Sequence, residues 1–72
     1  MNYFDLLYKK YNKLLLTKDE VAAEIGFSVR TLDRMRKTGE IWLVEMPRGK
    51  RIHFSLKSVA EYLEALHELG AA

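Results

Sequence analysis

This 72-residue chain predicts a mainly α-helical fold with one small β-hairpin, in the order α-α-turn-α-β-β-α. Three observations carry the prediction. Apolar residues recur at helical spacing in four stretches. Capping residues and glycines punctuate those stretches, and after the third the period changes to two strand-like runs flanking Pro47-Arg48-Gly49-Lys50. The chain is about half of a ~150-residue domain prior, so one core must serve all of it. With 49% hydrophobic and 31% charged residues, it belongs to the globular class and not the disordered one.

The first segment, Asn2 to about Lys13, reads as an amphipathic helix capped by Asn2, with Phe4, Leu7, Tyr8, Tyr11 and Leu15 on one arc opposite Asp5, Lys9 and Lys13. This aromatic stripe either covers the domain's own core or pairs two copies, and residues 1–14 are set apart on that ground from a main domain over 15–72. Leu14, Leu15 and Leu16 lead into Thr17-Lys18-Asp19-Glu20, a capping box that opens a second helix buried through Val21, Ala22 and Ile25. Gly26 suits the left-handed residue that ends it. Ser28 caps a third helix, Val29 to about Lys37, in which Leu32 and Met35 lie opposite Arg30, Arg34 and Lys37. Thr38-Gly39 closes it. Ile41–Met46 and Arg51–Phe54 then read as the strands of a hairpin, with Ile52 and Phe54 on one face and Arg51 and His53 on the other. Ser55 opens a last helix with Val59, Tyr62, Leu63, Leu66 and Leu69 in its stripe, ending at Gly70.

Charge is segregated along this order. Residues 30–51 hold seven basic residues against three acidic ones, while residues 55–72 are net acidic. A short helix, a tight glycine turn and a second helix with a basic outer face form a helix-turn-helix unit, and a basic hairpin follows at once as a wing. The major groove of DNA admits one helix, and a neighbouring ribbon reaches flanking phosphates or the minor groove. Arg30 and Arg34, one turn apart, are the expected base readers, since a guanidinium fork matches guanine O6 and N7. Ser28 and Thr31 at the helix start suit a phosphate, Ser28 equally a cap, while Arg36 and Lys37 are expected on phosphate. Asp33, three residues from Arg30 and Arg36 and four from Lys37, is expected to orient those bases by an intrahelical pair. In the wing, Arg48, Lys50 and Arg51 are expected on phosphate or in the minor groove, with His53 on the same side. Phosphate contacts from four to six of these bases would give log K against log salt a slope of roughly −4 to −5.

Leu16-Thr17-Lys18-Asp19-Glu20-Val21-Ala22, Gly26-Phe27-Ser28, Thr31-Leu32-Asp33-Arg34-Met35, Lys37-Thr38-Gly39-Glu40-Ile41, Gly49-Lys50-Arg51-Ile52-His53-Phe54 and Val59-Ala60-Glu61-Tyr62-Leu63 together resemble the excisionase-like branch of the MerR-type winged helix-turn-helix proteins. The resemblance spans Leu15 to Leu63. It implies double-stranded DNA as partner, no cofactor, and a role as excision factor or small transcriptional regulator of a mobile element, binding repeated sites side by side and bending DNA for a recombinase. Two residues depart from the pattern. Glu45 stands where the family often has a base, which weakens a phosphate contact from the first wing strand, and Trp42 stands where proline is common, so it packs under the hairpin or meets another protein.

Other function classes are bounded by what is missing. The chain has no cysteine, hence neither disulfide nor thiolate metal site, and His53 and His67 alone do not close a zinc shell. No nucleophile–base pair, carboxylate dyad or metal constellation can be read, so neither catalysis nor a small-molecule ligand is expected. RNA binding would call for an aromatic sheet signature that is lacking. No apolar run reaches the ~18 residues of a membrane span, and Met1–Asp5 is unlike a signal peptide, which makes the cytoplasm the expected compartment. The rival reading is a protein-interaction adaptor that engages a recombinase or other partner through Trp42 and the stripe containing Tyr8.

Overall fold

Local capping decides where each helix of this computed structural model begins and ends. The structure describes the backbone of residues 2–70 and the side chains of residues 2–68; the predicted apolar position Leu69 lies outside the latter. Helix α1 runs over Tyr3–Tyr11. The Asn2 side chain accepts from the Asp5 amide at 2.9 Å, satisfying one of the donors a helix start leaves free. Asn12, at φ 54°, ends α1 in the left-handed conformation, one turn sooner than the apolar stripe predicts. Leu15 is therefore not on α1. It begins β1, Leu15–Thr17, a strand that the sequence reading takes as a lead-in to the next helix. Three residues are too few to show a period of two, and the pairing that makes them a strand comes from a partner some forty residues away.

Helix α2, Lys18–Ile25, starts at the expected capping box, in which the Thr17 hydroxyl accepts from the Glu20 amide and the Glu20 carboxylate accepts from the Thr17 amide. Gly26 at φ 97° ends it, a conformation that a β-carbon makes costly. Helix α3, Val29–Thr38, is capped by Ser28. The hairpin strands are β2, Glu45–Arg48, and β3, Arg51–Ser55, and α4 covers Leu56–Gly70. The Ser55 hydroxyl accepts from the Ser58 amide at 3.3 Å, as expected of the residue opening α4.

The sheet has the order β1-β3-β2, antiparallel throughout. The first wing strand lies later than predicted: pairing begins at Glu45, opposite Phe54, and Ile41–Val44 is outside the ladder. The reason is the partner. β3 ends at Ser55 where α4 starts, so the chain before Val44, the residue facing Ser55, has no strand to pair with. It is held instead by the Val44 carbonyl accepting from Ser55 N at 3.0 Å and by Val44 N donating to the buried Ser58 hydroxyl at 3.1 Å. Pro47 and Arg48 accordingly lie in a strand and not a turn. Pro47 is tolerated because β2 is an edge, and the turn reduces to Gly49-Lys50, with positive φ (63°) at Gly49, as a two-residue II′ hairpin requires.

The core lies where the sheet meets α2, α3 and α4. Leu16, Val21, Leu32, Phe54, Leu56 and Val59 have no solvent exposure. Leu7 of α1 joins them, with α1 lying against α4 and Phe4 and Tyr11 packed at its margin. Tyr8 on α1 and Leu66 on α4 are exposed although both belong to the predicted apolar stripes.

Candidate nucleic-acid interface

On α3, helical geometry places Arg30, Arg34 and Lys37 on one exposed face, because positions i, i+4 and i+7 stack along a single side. Arg34 Nη1 lies 3.9 Å from Glu40 Oε1, with side chains 62% and 50% exposed, a pair too long and too wet to hold the guanidinium away from a ligand. Arg30 and Lys37 take no ion-pair partner among the described residues. Ser28 does what a cap does: its hydroxyl accepts from Thr31 N at 3.1 Å and donates to Thr31 Oγ1 at 3.1 Å. The pair sits at the free end of the helix, next to Arg30.

The hairpin carries the second basic group. Arg48 and Arg51 are direct partners in the β2–β3 register, so their side chains project from the same face, and Lys50 stands in the turn between them. Like charges opposed across a ladder destabilise a hairpin. An anion bound between them removes that repulsion. His53, two residues along β3 on the same face as Arg51, is half-buried, and its Nδ1 is buried with no hydrogen-bond partner among the described residues. A groove between the start of α2 and β3 is lined by Thr17, Lys18 and Asp19 on one side and Lys50, Arg51 and His53 on the other, with Arg36 at its margin. The sequence reading missed Lys18 as part of this surface.

Arg36, expected on phosphate, is placed differently from its neighbours. Its side chain is only 19% exposed. Nε and Nη2 donate to the two carboxylate oxygens of Glu45 at 3.0 and 2.8 Å, and Nη1 donates to Asp33 Oδ1 at 2.9 Å. The guanidinium also lies over the Phe54 ring, 5.4 Å from its centroid. Lys18 Nζ reaches the same Asp33 oxygen at 3.0 Å. The expected Asp33–Arg36 pair therefore exists, while Asp33's other link goes to Lys18 and not to Arg30 or Lys37. Beside Arg36, the Glu45 carboxyl is held below the usual carboxylate range, and Arg36 itself is pushed up, first by Glu45 and then, after opposing burial, by Asp33. The Asp33 carboxyl is likewise lowered, chiefly by Lys18 and then by Arg36. A signal for this placement is present in the sequence: Arg36 stands four residues after Leu32 and seven after Val29, on the edge of the buried stripe.

The remaining predicted contacts lie away from this face. Trp42 is 58% exposed and meets Tyr62 of α4 in a T-shaped pair with ring centroids 6.4 Å apart; it is not under the hairpin. Tyr8 is exposed and stacks on Phe4. Behind α1, Tyr11 donates to Glu24, which also pairs with Lys10; burial and that acceptor push the Tyr11 hydroxyl up to about 12. Among the described residues no group of three or more His, Asp or Glu is placed to hold a metal ion, and no helix is long and apolar enough to cross a membrane.

A family model for a helix-turn-helix domain matches residues 15–67, from β1 into α4. The chain belongs to that family. It is a DNA-binding helix-turn-helix domain, with α2 and α3 as its two helices and α3 as the one whose outer face is basic. The helix-turn-helix match leaves α1 outside. No curated protein and no solved structure matches the chain.

Proposed function

We propose that this helix-turn-helix domain is a sequence-preferring binder of double-stranded DNA in the excisionase-like branch of the MerR-type winged proteins. In this reading it works as an excision factor or small transcriptional regulator of a mobile element, in the cytoplasm, without catalysis or cofactor. Helix α3 enters the major groove, with Arg30 and Arg34 on base edges and Lys37 on phosphate. The hairpin sets Arg48, Lys50 and Arg51, with His53 beside them, on flanking phosphates or in the minor groove. One observation carries the reading: six of the seven bases in residues 30–51 are exposed on α3 and the hairpin, and the seventh, Arg36, is turned inward. A solvated face with no polyanion partner gives no reason for two arginines to oppose each other at the hairpin end. Copies arranged side by side on repeated sites, together with a recombinase, complete the proposal.

The division of labour is tested by alanine variants. Arg30→Ala or Arg34→Ala should cost about 1–3 kcal/mol on the preferred site and relax its sequence, whereas Arg48→Ala or Lys50→Ala should weaken all duplexes alike. Equal behaviour of the two sets would sink the assignment. The adaptor reading retains one specific support, the exposed Trp42 beside exposed Val44. It requires Trp42→Ala to abolish function in the cell while duplex affinity is unchanged.

A further inference from the structure

The cleft between α3 and the hairpin has Lys18, Asp33, Arg36, Lys37 and Glu45 along its walls. An acid in that position should oppose DNA binding, because it stands among the groups that face phosphate. Its hydrogen bonds tell a different story. Glu45 gives both carboxylate oxygens to Arg36, and a bidentate arginine–carboxylate pair fixes direction as well as distance. Through Asp33 the link continues to Lys18, so one run of charges joins the first residue of α2, the middle of α3 and the first residue of β2. Isolated surface pairs contribute little, but a bidentate geometry within a network is the case in which they count.

The hairpin needs such a link. β2 is a four-residue edge strand, exposed at every position, and Pro47 offers no amide to the ladder. Little apolar burial therefore sets its tilt relative to α3. Arg36, anchored over Phe54, supplies a fixed point on the helix side. We infer that Glu45 and Arg36 are positioning residues that strengthen DNA binding by holding the wing at the angle where its bases and those of α3 meet one duplex. The inference rests on the DNA-binding reading above.

The two roles of Glu45 predict opposite signs. If the carboxylate only repels phosphate, Glu45→Gln tightens binding. If it positions the wing, the same change loosens binding although a negative charge has been removed. The measurement is anisotropy of a labelled duplex of about two helical turns, selected by the wild-type chain from a random pool and held at one salt concentration. Circular dichroism checks that each variant is folded. We expect Glu45→Gln to lower affinity about three- to tenfold, and Arg48→Ala to cost less in that background than in the wild type, because a wing no longer held in place has less to lose. Glu45→Asp keeps the charge but shortens the reach, and should also lose affinity; it serves in place of Glu45→Gln should that variant fail to fold. Unchanged or tighter binding overturns the inference, and so does strict additivity with Arg48→Ala, which marks a merely structural effect. Absence of binding by the wild-type chain to any duplex of the pool is seen before any variant is made, and it overturns the DNA-binding reading together with this inference.

Discussion

Arg34 and Arg36 are alike in type and two residues apart, yet one is free to meet a ligand and the other is committed inside the protein. The difference comes from the faces of α3: Arg34 lies opposite the buried stripe, while Arg36 follows Leu32 by four residues and is drawn over Phe54. Its carboxylate partners carry a pH dependence. Asp33 and Glu45 are both held below the usual range, so their contribution to stability is fully present above the unfolded-state value near ~4 and is lost as pH falls through the lower folded-state value. In thermal melts the wild type should therefore keep a steady advantage over Glu45→Gln between roughly pH 5 and 8, and that advantage should shrink below about pH 4. An advantage that persists unchanged into strong acid contradicts the ion-pair account. The Asp33–Arg36 half of this network is legible in the sequence as an i, i+3 pair, but Glu45 enters only through the pairing of β2 with β3.

At the scale of elements, what can be read from sequence is what is settled locally. The Thr17–Glu20 capping box, the Ser28 cap and the glycines at 26 and 39 lie within a few residues of the ends they determine, and α2 and α3 begin and end as those signals predict, while α4 begins after Ser55 as expected. The strands are settled at a distance. Leu15–Thr17 becomes a strand because Leu16 pairs with Phe54, and Ile41–Val44 fails to become one because β3 has already ended. Leu32 is the point at which local and distant determinants meet, since it carries the buried stripe of α3 and has no exposure. Leu32→Ala should cost about 2–5 kcal/mol in chemical denaturation, a large part of the stability of any domain this small. A loss below about 1 kcal/mol would mean that α3 is held by its caps and ion pairs and not by its core contact.

Across the whole molecule, the packing of α1 on α4 is separate from the basic face, where six of the seven bases of residues 30–51 stand exposed on α3 and the hairpin. α1, outside the family match, packs on α4 around Leu7, while the basic face of α3 and the hairpin remain in solvent. This separation lets the domain present cations without burying any of them except Arg36, whose charge is met by two acids. Of the α1 stripe, Leu7 is buried in the core and Phe4 and Tyr11 are partly buried against it, while Tyr8 and Trp42 are left at the surface. Salt dependence tests the central claim most directly. Anisotropy of a labelled duplex should be recorded over a series of salt concentrations. Lys37, Arg48, Lys50 and Arg51 as four phosphate contacts give log K against log salt a slope of about −3.6, steepening to about −5.4 if Arg30 and Arg34 also meet phosphate. A slope near zero would contradict the claim that this basic face binds DNA.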